Sequence, residues 1–425
     1  MKSINKIVAA ALSLTIGASL AGCTNGNSGG SSAPAPATDA PAASAPADGG
    51  SKTVGIAMPT KSLERWNRDG EYLKNQFEAA GSKVELKYSD NDTNQQNNDI
   101  QGMIADKVDL LLIAAIDGST LSQTLGEAKS SNIPVIAYDR LIMDTDAVSY
   151  YVSFDNYTVG KLQGEFVRDQ LSLDSTSDKF NIEFTAGDPA DNNAGYFFNG
   201  AFDTLKPYID SGKLVIPSGK STFEQVATPS WSTDTALENM QNTLASYYSD
   251  GTKLDVALCS NDSTALGVAQ AITSDYNGGN APIVTGQDGD IANLRNIVDG
   301  IQTMTVYKNV SDEAGVTLDV AKAILSGQTP DASFANSLSV KCSYDTESYN
   351  NNVKTVPSFL SFLMLSPRTT FRCSLTQAST SGMLIISILS PQLPPPDDTN
   401  DRQRSVSVRQ GGHCPPCFFW TNKEG

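Results

Sequence analysis

Histidine is almost missing: one residue, His413, in a chain of 425. Ser-His-Asp triads, histidine-rich zinc sites and histidine general bases would all have to draw on that one imidazole, so carboxylates and lysines are left as candidate catalysts. Positive charge is scarce as well. With 30 Lys+Arg against 47 Asp+Glu the formal charge is −17, which repels a phosphate backbone, so nucleic acid is not an expected partner. Cysteine is thin, at 6 residues. Cys259, Cys342 and Cys373 show no paired spacing, and Cys259 lies in an apolar run where it reads as a small core residue. Cys414 and Cys417 stand beside His413, but a lone CxxC falls short of the four ligands of a structural zinc site, and no metal or cofactor is expected.

Long apolar runs are also absent where a membrane span would need ~20 residues. The run over 7–20 is shorter and is broken by Ser13, Thr15, Gly17 and Ser19. With Lys2 and Lys6 before it and Leu20-Ala21-Gly22-Cys23 after it, it reads as a signal segment over 1–23. It resembles a bacterial lipoprotein signal, which implies cleavage before Cys23, acylation of that thiol, and a protein anchored outside the cytoplasmic membrane. Residues 24–51 are almost entirely Gly, Ser, Ala, Pro, Asn, Thr and Asp. Such a stretch buries too little apolar surface to offset the entropy of ordering, and a disordered tether is expected.

The far end breaks the composition. Residues 1–360 hold 19 Lys and 5 Arg, whereas 361–425 hold 1 Lys, 5 Arg, seven Pro and the only His. No period of 2 or 3.6 persists there. The segment reads either as a disordered interaction tail or as a stretch translated out of frame, and the second reading is preferred.

What is present between 52 and 358 is alternation: apolar run, polar turn, helix-like stretch. Strands are expected over 54–58, 84–88, 108–115, 135–138, 148–153, 181–185, 213–218, 256–260, 283–285 and 303–307. Helices are expected over 63–80, 96–105, 121–130, 159–171, 193–205, 233–248, 265–274 and 291–299. Strands as wholly apolar as 108–115 are buried on both faces and signal a parallel sheet. The fold class is therefore α/β, two doubly wound parallel-sheet lobes, with the site at the carboxyl ends of the strands.

The turns at those ends hold Arg65, Trp66, Asp139, Arg140, Asp188, Asp191, Asn193, Asn261, Asp262, Gln287, Asp288 and Lys308, with Lys61 as a weaker candidate. Asp, Asn and Arg pair with hydroxyls in fixed directions, and an aromatic plate covers the C–H face of a pyranose. Trp66 and Trp231 are the two tryptophans outside the anomalous tail, and each falls in an expected site loop, one per lobe. Asp262 is expected to cap the following helix and Asn261 to face the ligand.

The motifs Glu64-Arg65-Trp66, Ala137-Tyr138-Asp139-Arg140, Ser153-Phe154-Asp155-Asn156, Asp191-Asn192-Asn193-Ala194, Gly286-Gln287-Asp288, Thr303-Met304-Thr305-Val306-Tyr307-Lys308 and Val356-Pro357-Ser358 stand in order along the chain. Over 52–360 it resembles the type I periplasmic binding proteins of pentose and hexose importers, nearest to the xylose-binding and multiple-aldose-binding members. The resemblance implies two lobes joined by a three-strand hinge, with crossings near Asn156, near Tyr307 and over 353–359. The N-terminal lobe would then comprise 52–156 plus 308–352, and the C-terminal lobe 157–307 plus 353–360. It also implies ligand contact by Arg65, Asp139 and Arg140 from one lobe and Asp191, Asn193, Asn261 and Asp288 from the other. Lys308 would bind at a crossing, with Trp66 and Trp231 on opposite faces of the sugar.

The expected function is capture of a monosaccharide and its delivery to an ABC permease by a lipid-anchored monomer in the periplasm or at the cell surface. A sugar chemoreceptor signalling to a membrane sensor is the alternative. A glycosidase is disfavoured because neighbouring Arg and Lys would hold Asp139 and Asp288 ionised, leaving no general acid. A sugar-responsive repressor would need a basic helix-turn-helix where the signal and tether stand.

Overall fold

A computed structural model describes residues 51–367 of the chain. Cys23, the tether over 24–50, Cys373, His413 and the Cys414/Cys417 pair lie outside the described residues.

The first lobe is built from β1 (Thr53–Met58), α1 (Glu64–Ala79), β2 (Lys83–Tyr88), α2 (Thr93–Ala105), β3 (Leu110–Ile113), α3 (Ser122–Ser130), β4 (Val135–Tyr138) and β5 (Val148–Phe154). The chain then crosses to the second lobe, which holds α4 (Asn156–Gln170), β6 (Phe180–Thr185), α5 (Asn192–Asp210), β7 (Leu214–Val215) and α6 (Phe223–Val226). It continues there through α7 (Thr233–Tyr247), β8 (Val256–Cys259), α8 (Asp262–Asp275), β9 (Ile283–Val284), α9 (Ile291–Asp299) and β10 (Met304–Tyr307). A second crossing returns it for α10 (Val310–Leu325), α11 (Ala332–Ser337), β11 (Cys342–Asp345) and β12 (Ser358–Ser361), and a third leads to β13 (Met364–Pro367).

The first sheet has seven strands in the order β11-β12-β5-β4-β3-β1-β2, parallel except for the β11–β12 pair. Leu110, Leu111, Leu112 and Ile113 of β3 are all fully buried, as a central strand covered on both faces must be. One face packs on α1 and α10 through Leu73, Phe77, Val316 and Val320, and the other on α2 and α3 through Ile100, Met103 and Leu125. Each such side chain contributes roughly 1.5–3 kcal/mol by leaving water. The second sheet runs β7-β6-β8-β9, all parallel. It is carried on by a bridge from Gln287 to Val306 in β10, and β13 pairs antiparallel with β10.

Two boundaries differ from the sequence reading. Residues 353–360 do not join the second lobe: Ser358–Ser361 pair parallel to Tyr151–Phe154 in the first sheet, because Phe359 fills that core against Tyr150, Phe334 and Tyr344. The third crossing therefore falls at Phe362 and Leu363. Strand pairing also runs through the composition change at Ser361 as far as Pro367. Pairing follows the local apolar run 359–365, whereas composition averages over the whole tail.

Candidate functional site

The turn after β4 brings Asp139 to the cleft with φ +57°, a left-handed conformation that short polar side chains tolerate better than branched ones. Three donors hold its carbonyl there: Tyr151 Oη at 2.7 Å, Ser153 Oγ at 2.9 Å and, from the second lobe, Asn193 Nδ2 at 2.6 Å. Its Oδ2 lies 2.7 Å from Arg65 Nη2 and 3.3 Å from Lys308 Nζ. Burial would raise this carboxyl, but Arg65, Lys308 and Arg140 outweigh it and hold Asp139 at about 2.

Arg65, on the first turn of α1, is the hub. Nε and Nη2 bond Asp69 one turn on, Nη2 bonds Glu313 Oε2 at 2.9 Å, and Nη1 reaches Asp288 Oδ1 of the second lobe at 3.3 Å. Asp69 and Glu313 are both fully buried, and Tyr138 Oη donates to Asp69 at 2.6 Å. Sequence reasoning nominated neither residue. Glu313 lies in the first turn of α10, a helix that reading left unassigned, and the signal for Asp69 was its i,i+4 spacing from Arg65.

Second-lobe residues do two jobs at once. Asp191 caps α5 through Oδ1, which accepts from Asn193 N, while Oδ2 faces inward to Arg140 Nε at 3.0 Å and Trp231 Nε1 at 3.2 Å. Burial raises Asp191 despite Arg140. Asn261, not Asp262, caps α8: its Oδ1 accepts from Thr264 N while Nδ2 reaches Asp288 Oδ2 at 3.4 Å. Asp262 instead anchors the loop 286–290, accepting from Gly289 N at 2.8 Å, Asp290 N at 2.9 Å, Gln302 Nε2 and Thr305 Oγ1. Its burial and the nearby Asp288 carboxylate push it up to about 7.

Asp288 (φ +103°) is carried on that anchored loop, and burial raises it against the pull of Arg65 and Lys308. The nearby cations thus prevail over burial at Asp139, whereas burial prevails over them at Asp288. Gln287 and Asp188 turn out to brace loops: Gln287 Nε2 bonds Ser260 O, and Asp188 accepts from Ala190 N and Ser230 N. Lys61 is exposed, over the ring of Tyr88, away from this cluster.

The tryptophans sit in the same constellation. Trp66 carries Arg65 Cζ at 5.2 Å and Arg140 Cζ at 4.9 Å from its ring centre, and each tryptophan is 4% exposed. Trp231 presses on Gly187, where a Cβ would sit 1.9 Å from the ring, so only glycine permits that placement. Thus Arg65, Trp66, Asp139, Arg140, Asp191, Asn193, Trp231, Asn261, Asp288 and Lys308 come together as one buried network drawn from both lobes. Such an array sets fixed donors and acceptors beside two aromatic rings, the groups that can pair with a rim of hydroxyls.

Comparison with known proteins gives this geometry a setting. Residues 54–329 match the model of the periplasmic binding protein domain. The chain is 42% identical over 311 residues to the multiple sugar-binding periplasmic receptor ChvE of Rhizobium radiobacter, covering 72% of this chain and 84% of that one. It is 35% identical over 307 residues to the D-xylose-binding periplasmic protein of Escherichia coli, again covering 72% and 84%. Among solved structures, an ABC transporter solute-binding protein of Clostridium phytofermentans with bound β-D-glucose superposes with a TM-score of 0.71 at 48% identity, covering 75% of this chain and 95% of that one.

Proposed function

The chain belongs to the periplasmic binding protein family, and from that premise we propose that it is a lipid-anchored, monomeric, extracytoplasmic receptor that captures an aldopentose or aldohexose and hands it to an ABC permease. Xylose, glucose and galactose are the candidate ligands. The observation that carries the reading is the convergence of Arg65, Asp139 and Arg140 with Asp191, Asn193 and Asp288 across the two lobes, beside Trp66 and Trp231.

In the closed arrangement these groups satisfy one another. A sugar enters the same set by exchanging hydroxyls for the direct Arg65–Asp288 and Asn193–Asp139 contacts. A sugar that gives partners to both lobes at once favours their approach over the ligand-free contacts and so couples occupancy to shape, which is the property a permease can recognise. No bond-breaking step is proposed. Asp139 and Asp288 are both paired with the one guanidinium of Arg65, so they bracket a cation rather than a scissile bond.

Titration of the full chain with xylose, glucose, galactose, arabinose and ribose, followed by tryptophan fluorescence, tests the receptor. A saturable micromolar response to one of them supports it; a folded protein that ignores all five overturns it. For the anchor, Cys23→Ser should abolish incorporation of labelled palmitate and release the protein from the membrane fraction.

A further inference from the structure

At the rim of the cleft the lobes exchange contacts that use none of the side chains assigned to the sugar. Arg68, on α1, donates from Nη1 to Gly289 O and from Nη2 to Asp288 O, each at 3.3 Å, and Nη2 stands 3.6 Å from Asp290 Oδ1. Glu64, one turn earlier, accepts from the backbone N–H of Ile291 at 2.9 Å. Ile291 is the first residue of α9. The partners of both side chains are thus backbone groups more than two hundred residues away, in the other lobe.

The N-terminus of α9 shows that this is more than a surface ion pair. Asp290 occupies its N-cap position yet makes no cap bond; its Oδ1 is buried, has no hydrogen-bond partner and lies on the Arg68 side. The helices α5 and α8, which also begin beside the site, are capped by their own Asp191 and Asn261. Helix α9 instead takes its acceptor from Glu64 across the cleft, so this orphan donor has a side-chain partner only when the lobes meet.

The gripped segment transmits force. Asp262 ties Gly289 N and Asp290 N to α8, and a Cβ at Gly289 would lie 2.4 Å from Tyr307, so the backbone there has little freedom to yield. Asp288, whose carbonyl Arg68 holds, points its carboxylate at Arg65 in the site. Glu64 and Arg68 keep 38% and 26% of their side-chain surface exposed. Water can replace their contacts on opening, so neither charge is stranded.

We propose that Glu64 and Arg68 form a clasp that closes on the 288–291 segment, positions Asp288, and sets the affinity and residence time of every bound sugar by a common factor. The ranking of sugars is left to the residues of the network. The clasp rests on the sugar-receptor reading above.

The test uses the full chain and the five aldoses named earlier, with stopped-flow tryptophan fluorescence for release and thermal unfolding for stability. Arg68→Gln should weaken each responsive sugar by about tenfold, chiefly through faster release, with the order of sugars unchanged; that is the effect of losing charged hydrogen bonds of ordinary strength. Arg68→Lys, which keeps the charge but not the two-pronged fork, should fall between wild type and Arg68→Gln. Glu64→Gln should speed release by a few-fold at unchanged melting temperature, and it decides the matter if Arg68→Gln does not fold. Release at the wild-type rate in these variants overturns the clasp while wild-type binding keeps the receptor reading intact. So does a loss confined to some sugars, which would place Arg68 against the ligand. A wild-type chain blind to all five sugars sinks the receptor reading first.

Discussion

The turn after β4 and the loop after β9 face each other across the cleft, each presenting one aspartate from a left-handed backbone position. Their protons behave oppositely. Around Asp139 stand three cations, Arg65, Arg140 and Lys308, and its carboxyl is held at about 2. Around Asp288 stand Arg65, Lys308 and Arg68, yet burial lifts it, as it lifts the neighbouring Asp262 and Asp290. Residue type and place in the fold are the same in both regions. What differs is the balance: at Asp139 the cations and the Arg65 hydrogen bond outweigh burial, and at Asp288 burial outweighs Arg65, Lys308 and Arg68.

The sharpest way to test this contrast is to neutralise each aspartate in turn. Asp139→Asn leaves Lys308 buried without its carboxylate, and breaking such a pair costs roughly 3–5 kcal/mol, so aldose affinity should drop by about 100-fold or more. Asp288→Asn leaves Arg65 still paired with Asp69, Asp139 and Glu313 and should cost nearer tenfold. Equal losses, measured by calorimetric titration, would break the comparison.

Titration behaviour gives a second handle. Asp262 is raised from an ordinary 3.8 to about 7, so the folded state binds the proton more tightly than the unfolded chain. Its contribution is complete below the unfolded value and is lost as pH climbs from about 4 to about 7. Asp262→Asn should remove that part of the slope in melting temperature across this window. Asp139 has the reverse sign: stability present above about 4 is lost as pH falls toward 2. A melting profile of Asp262→Asn that parallels wild type from pH 4 to 7 would refute the assignment. At the small end, Lys61→Ala, an exposed residue outside both regions, should change affinity by less than about twofold, as ordinary surface substitutions do.

How much of this could be read from the chain differs between the two regions as well. The central strands of the two lobes were legible because a strand covered on both faces must be apolar throughout, as Val135–Tyr138 and Val256–Cys259 are. The residues at their carboxyl ends were legible because Asp, Asn and Arg gather there. What those residues share with helix caps was not: Asn261 and Asp191 each cap with one side-chain atom and face the cleft with another, and spacing cannot divide atoms of one side chain. Asp69 and Glu313 were not legible because they project from helices, and strand ends alone do not mark them. The strands β12 and β13 escaped for a different reason, since a shift in composition at Ser361 masked an apolar run that continues across it.

The entry point of the chain carries a mechanical consequence. Residue 51 feeds β1 at its amino-terminal end, opposite the carboxyl ends that carry the site, and β1 is an inner strand bonded to β2 on one side and β3 on the other. A pull on the chain ahead of residue 51 is therefore sheared into two neighbouring strands and dissipated within one lobe. None of that load path crosses the three connections that join the lobes. A load applied ahead of residue 51 would reach the other lobe only through the first sheet, so it would force the jaws neither open nor shut.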